Sequence, residues 1–205
     1  MLFFCVAVEG WAGGRVWFVS LGPKSAKTGV KMTDLKTEGC GKMTERRWTV
    51  YLSGEIHSDW RERISDGIAA AGLPVDVTAP VTVHEDSDDC GVAIFGAEPN
   101  KVWHDRKGAQ LNAIRTQTLI QDADLVVVRF GEKYKQWNAA FDAGYAAAMG
   151  TPYITLHPSE HDHALKEVDA AAHAVARDPE QVVQALTYIL TGKLPAQRAD
   201  TKAAE

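Results

Sequence analysis

The stretch ADLVVVRF, residues 123–130, constrains the fold more than any other part of the chain. Its apolar run is unbroken, so a strand built from it needs cover on both faces, as in the centre of a parallel sheet. Around it, short apolar runs alternate with longer helical patterns, the signature of βα units. WTVYLS (48–53) reads as the first strand and VDVTAP (75–80) as the second. PYITLH (152–157) is the fourth and AAHAVA (171–176) the fifth. Between the first two, a helix over about Trp60 to Ala71 places Trp60, Ile64 and Ile68 on one stripe and stops at Gly72. Asp59 and Glu62 have the spacing of a capping box at its start. A helix over 104–121 is expected to face inward through Leu111, Ile114, Thr118 and Leu119. Another, over Asn138 to Met149, ends at Gly150 with Pro152 just beyond. Asp178-Pro179-Glu180-Gln181 opens the last helix, which ends at Gly192. Residues 84–89 (HEDSDD) are polar and aperiodic, and read as a solvated loop or a lid. Five strands and about four helices predict a three-layer α/β sandwich around a five-stranded parallel sheet. By analogy it is flavodoxin-like, with strand order 2-1-3-4-5.

One domain, residues 43–192, accounts for this pattern. Residues 1–42 read as a poorly structured N-terminal extension, as if translation began at Met43 or Met32. Their apolar run Leu2 to Val8 is interrupted by Glu9 and Gly10, too short for a membrane span, and no positive residue precedes it as in a signal peptide. Lys193 to Glu205 form a polar tail. The net charge of −5 disfavours a nucleic-acid partner, and no membrane partner is expected. The three cysteines, Cys5, Cys40 and Cys90, show no paired or ligand spacing, which fits a reducing, cytoplasmic setting without disulfides. The pairs His84/Asp86 and His161/His163 have too few partners at ligand spacing. Neither a metal nor a cofactor is expected.

Parallel sheets bind ligands beyond the carboxyl ends of their strands, where the strand order reverses. Here that names Ser53-Gly54-Glu55-Ile56-His57 after the first strand and Phe130 to Asn138 after the third. Both put glycine and then glutamate directly after an apolar strand, which permits a sharp turn and a close ligand approach. Asp142 follows in the first or second turn of an alanine-rich helix. The helix dipole stabilises an anion there by about 0.3–1 kcal/mol, so Asp142 is expected to stay ionised, as a nucleophile or general base must. The candidates for ligand binding are Gly54, Glu55, His57, Asp59, Gly131, Glu132, Lys135, Gln136, Trp137 and Asn138. His57 has a side chain suited to protonating a leaving group, and Trp137 offers a ring for stacking. Lys133 and Lys135 are the cations nearest the cleft, whereas Asn112 and Arg115 share a helix face that could reach the cleft edge but reads by default as solvated.

Tyr51-Leu52-Ser53-Gly54, Ala123-Asp124-Leu125-Val126-Val127 and the run Asp142 to Pro152 together resemble the nucleoside 2-deoxyribosyltransferase superfamily. GEIHSDWR (54–61) and FGEKYKQWNAAFDAGYAAAMGTP (130–152) are similar to the bacterial YtoQ family within it, and the resemblance spans about residues 48–192. It implies a flavodoxin-like fold, a nucleoside or nucleotide as small-molecule partner, and cleavage of the N-glycosidic bond by a carboxylate nucleophile. It also implies a homo-oligomer whose sites borrow residues from a neighbour. The family's active enzymes carry a D-x-G-[TL]-x-x-E-x-G-x-A pattern, whose nucleophile falls on Asp142. The tyrosine that hydrogen-bonds the nucleophile falls on Tyr51. Gly144 and Ala146 keep the pattern. Gln136 replaces its first aspartate, Asn138 its glycine and Ala139 its Thr or Leu, and Asp142 is one methylene shorter than glutamate, about 1.5 Å of reach. Two readings follow: an N-glycosidic bond enzyme, transferase or hydrolase, or a nucleotide-binding module without catalysis, which the loss of an acid at Gln136 favours.

Overall fold

The computed structural model describes residues 46–132 and 136–194. The expected extension over 1–42, Lys133 and Lys135, and most of the 193–205 tail lie outside the described residues. Within them the chain forms β1 (Trp48–Gly54), α1 (Trp60–Ala70), β2 (Val75–Thr78), α2 (His84–Asp88), α3 (Cys90–Phe95) and α4 (Lys101–Asp122). Then follow β3 (Leu125–Arg129), α5 (Trp137–Met149), β4 (Tyr153–Leu156), a 3-10 turn (Ser159–His161), α6 (Lys166–Ala171), β5 (Ala174–Ala176) and α7 (Pro179–Thr191).

All strand pairs are parallel and the order is β2-β1-β3-β4-β5. This is the flavodoxin-like order, and it places β1 beside β3 with Ser53 opposite Val128 and Gly54 opposite Arg129. Alternation along the strands divides the core in two. Val50, Leu52, Leu125 and Val127 face α1 and α7 and meet Trp60, Ile64, Ile68, Val182 and Leu186. Tyr51, Val126 and Val128 face the other way, against Ile120 of α4 and Ala139, Ala143 and Ala146 of α5. Side chains as fully enclosed as Ile64 or Leu186 each contribute about 1.5–3 kcal/mol relative to exposure. β3 is buried on both faces, as its unbroken apolar run requires.

Glycines and caps end the helices as their positions suggest. Gly150 and Gly192 adopt the left-handed conformation after α5 and α7, and Asp178 accepts the Gln181 N–H at 2.8 Å.

Elsewhere the structure corrects the sequence reading. Residues 84–88, read as part of a loop over 84–89, form the short helix α2, and a second short helix, α3, follows at 90–95. Their close fit to α4 depends on small residues: a Cβ on Gly91 would lie 2.3 Å from the Lys107 carbonyl carbon, and one on Gly108 would lie 2.7 Å from Asp88 O. Because α4 turns its Gly108 face to these helices and buries Ile120 near its end, Ile114 and Thr118 point outward. The helix begins at Lys101, where Asn100 accepts the Val102 N–H at 2.8 Å. Asp59 makes no capping bond; at φ −82° and ψ 12° its backbone is not extended, so its carboxylate is not held over the first turn. Only Ala174–Ala176 of the expected fifth strand pairs, since residues 166–171 are helical. The described residues hold seven α-helices where about four were expected.

Candidate active site

β1 and β3 end side by side, and their chains leave toward opposite faces of the sheet. Between them lies a cleft of about 690 Å³. Gly54 makes the first turn at φ +106°, and a Cβ there would sit 2.1 Å from Arg129 O. No side chain fits. Gly54→Ala is therefore expected to lower stability by about 3 kcal/mol or more through strain and overlap, measured as a shift of the denaturant midpoint.

Arg61 fixes the outgoing chain. It is 8% exposed, and it donates to Leu52 O at 3.0 Å, Gly54 O at 2.9 Å and Glu55 O at 2.6 Å. Burial lowers its guanidinium to about 10 against the pull of Tyr51, Glu55 and Glu62, so it stays charged at neutral pH. Trp60 Nε1 donates to the same Glu55 carbonyl at 2.7 Å. Nothing in the spacing of GEIHSDWR reveals this role for Arg61, since an arginine in the first turn of a helix reads as solvated.

The second turn locks onto the first. Gln136 Oε1 accepts the Gly131 N–H at 2.9 Å. A Cβ on Gly131 would lie 2.6 Å from Glu55 Cγ, so glycine is what lets Glu55 pack there. The Glu55 carboxylate accepts from the His57 N–H and from Ser58 Oγ. On the far side His161 Nε2 lies 3.1 Å from Gly131 O.

Asp142 stands on α5 facing the end of β1, and Ser53 Oγ donates to its Oδ2 at 2.5 Å. Burial raises the Asp142 carboxyl above the usual carboxylate range, and the Ser53 hydrogen bond opposes that rise. Of these two influences desolvation is the larger. The resemblance gives the hydrogen bond on this carboxylate to Tyr51, whereas Ser53, two residues on along the same strand face, makes it here. Tyr51 is wholly buried, and its hydroxyl lies beside Thr116 without a well-formed hydrogen bond. Burial, aided by the Asp142 charge, pushes that hydroxyl up to about 12, so it is a neutral phenol.

Of the residues expected at the site, Gly54, Glu55, His57, Gln136, Trp137, Asn138 and Asp142 line the cleft. Gly131 forms the turn beneath them. Tyr51 sits behind the wall, Asp59 and Glu132 are exposed and outside the lining, and Lys135 lies outside the described residues. Asn112 and Arg115, read as a solvated face, line the cleft with Thr116. Asn112 also holds α2 over α4 through Ser87 O at 3.0 Å. Phe141, one turn beyond Trp137, adds a second exposed ring, and the two are 65% and 72% exposed.

Residues 51–190 match the family described as nucleoside 2-deoxyribosyltransferase YtoQ. The chain belongs to the YtoQ family. Its relative in Bacillus subtilis (strain 168), the uncharacterized protein YtoQ, is 44% identical over 140 residues, 68% of this chain and 95% of that one. Among solved structures, a conserved protein from Enterococcus faecalis V583 superposes with a TM-score of 0.50 at 14% identity, covering 71% of this chain and 100% of that one. A 2-deoxyribosyltransferase from Bacillus psychrosaccharolyticus gives a TM-score of 0.44 at 16% identity, with 66% and 90% covered. In YtoQ terms, the match takes in both turns, Arg61, Ser53 and Asp142, and so the whole described frame of the cleft.

A second polar cluster lies where β4 and β5 end. His157 is wholly buried, 3.0 Å from Asp169 Oδ2, and Thr155 Oγ1 donates to Asp169 at 2.7 Å. Asp162 pairs with Arg177, which holds its carboxyl below the usual range. These groups satisfy one another and brace the far edge of the sheet. Among the described residues, no helix is long and apolar enough to cross a membrane.

Proposed function

We propose that the cleft binds a nucleoside or nucleotide and breaks its N-glycosidic bond with Asp142 as nucleophile, as a 2-deoxyribosyltransferase or a related hydrolase. The observation that carries this reading is the Asp142 carboxylate on the cleft wall, oriented by Ser53 at 2.5 Å. In the forward step a carboxylate oxygen bonds to C1′ while the C1′–N bond breaks and its electron pair leaves with the base. His57, on the same wall, is the candidate to protonate that base. A second base or a water then displaces the carboxylate from C1′, with net retention. Trp137 and Phe141 supply ring faces on which a base can stack. Family membership supports the reaction class, and α5 supports the geometry: Ala139 and Ala143 are small enough to let the helix approach the sheet closely, which offsets the shorter reach of aspartate.

Incubation with a 2′-deoxynucleoside and a second free base, followed by chromatography, tests the proposal. Exchange or hydrolysis is expected; saturable binding with neither product would favour the non-catalytic module. That second reading draws on Gln136, which stands where the family pattern has an acid and spends its carbonyl oxygen on the Gly131 N–H.

The pH profile gives a separate prediction. Attack needs the ionised carboxylate, so kcat falls as pH drops through the Asp142 pKa, which burial has raised. Because the Ser53 bond lowers that pKa, Ser53→Ala is expected to move the acid limb to higher pH. An unshifted limb would contradict the assignment.

A cytoplasmic homo-oligomer is part of the same proposal. The exposed Phe141 and Met149 on α5 support assembly. Light scattering at a monomer mass would contradict it.

A further inference from the structure

We infer that Asn112 reads the base of the substrate: its Oδ1 accepts an N–H from the base edge remote from the sugar, so the site takes bases that carry such a donor. The inference rests on the reading above, that the cleft takes a nucleoside or nucleotide. In that reading, retention by two displacements requires each to run in line, so the base departs away from the attacking carboxylate. Asp142 stands on α5, and the other helical wall of the cleft is α4. On that wall Thr116 lies beside the Tyr51 hydroxyl, which feels the Asp142 charge. Asn112 is one helical turn nearer the start of α4, about 6 Å along the axis. That matches the span from a glycosidic carbon to the far edge of a base. Ala109 and Ala113 join Asn112 on the lining and leave room for a flat ring.

The amide has a fixed orientation. Asn112 Nδ2 donates to Ser87 O at 3.0 Å and lies 3.2 Å from Ser87 Oγ. A carbonyl only accepts, so the nitrogen must face Ser87, and the oxygen is the end left for a ligand. Among the described residues, no N–H or O–H donates to that oxygen.

Other acceptors on the lining are engaged. Asp88 pairs with His84 at 3.3 Å and Asp105 with Lys101 at 3.4 Å, and Gln136 Oε1 takes the Gly131 N–H at 2.9 Å. Gln117 and Asn138 also line the cleft, but no hydrogen bond among the described residues fixes which end of either amide faces it. A group that tells a donor from an acceptor must not be free to turn, and Asn112 is held. A site that hydrogen-bonds one group of its substrate discriminates against the analogue lacking it, because its own polar atom is then left unpaired.

The test uses the full-length protein and bases with and without that donor. 2′-Deoxyadenosine and 2′-deoxyinosine are compared with the deoxyriboside of unsubstituted purine, and 2′-deoxycytidine and 2′-deoxyuridine with that of 2-pyrimidinone. The two reference compounds keep the ring and carry no N–H on that edge. Wild-type kcat/KM is expected to favour the donor-bearing bases, and Asn112→Leu is expected to shrink the ratio by about tenfold. Intrinsic leaving ability cancels, since the same compounds meet both proteins. Asn112→Asp keeps an acceptor but loses the N–H to Ser87, and is expected to keep the preference. Were Asn112 only a strut for α2, both variants would weaken all these substrates alike. Circular dichroism and calorimetric binding accompany each variant. Wild-type binding that ignores the donor, a ratio unchanged in folded Asn112→Leu, or a preference lost equally in Asn112→Asp overturns the inference and leaves the glycosidic chemistry standing. Binding without turnover that follows the expected pattern keeps the inference and removes the catalytic reading. Absence of binding to all of these compounds overturns both.

Discussion

Asp142→Asn is expected to lower kcat by about four orders of magnitude, since removing a covalent nucleophile takes away the step on which the others depend. Asparagine has nearly the same size and still offers an oxygen to Ser53 Oγ, so the α5–β1 contact survives. Only the attacking charge is lost. Ligand binding, measured by calorimetry, is expected to stay within a fewfold of wild type, because base stacking and the β1 turn do not depend on it. Asp142→Ala is expected to behave alike in turnover. A kcat unchanged in either variant would remove the nucleophile and leave only a binding cleft.

Arg61→Met gives the largest expected loss of stability. The buried guanidinium makes three charge-assisted hydrogen bonds, to Leu52 O, Gly54 O and Glu55 O. Methionine fills much of the space but donates nothing. Bonds of this kind are worth about 1.5–3 kcal/mol each, and carbonyls left dry cost more than those given to water. Loss of the set is expected to cost about 4 kcal/mol, with Trp60 still serving Glu55 O, and to lower Tm by roughly 10 °C in a domain of this size. Differential scanning calorimetry reads it directly; a Tm within 2–3 °C of wild type, about 1 kcal/mol, would show that water replaces the arginine.

The sheet was legible because its strands carry their own signals. LVVVR in β3 permits little other than a buried central strand, and Gly150 and Gly192 mark their helix ends. The rule that ligands gather where strand order reverses led to the segments holding Gly54 and Gly131 before any motif was considered, and Asp142 stood out by its place near the start of the following helix. What stayed hidden depends on contacts distant in sequence. The helices over 84–95 have no apolar period of their own and gain their cover from α4, through the close approach at Gly91 and Gly108. Ile114 and Thr118 have inward spacing, yet α4 lies along those helices and turns them outward. Asn112 and Arg115 reach the cleft for the same reason. Ser53, though inside the segment named for ligand binding, was given no role because a serine beside a strand-ending glycine has no pattern, whereas Tyr51 carried the resemblance. Arg61 looks in sequence like any charged residue in a helical first turn.

The most direct test of the nucleophile is to slow its release. A 2′-fluoro-arabinonucleoside destabilises the positively charged transition states for both formation and breakdown of a sugar ester, so an enzyme that forms one accumulates it. Peptide mapping by mass spectrometry after such incubation is expected to find the fluorosugar attached to the peptide containing Asp142, and no adduct in Asp142→Asn. Base release without any adduct, or an adduct on another carboxylate such as Glu55, would contradict the account.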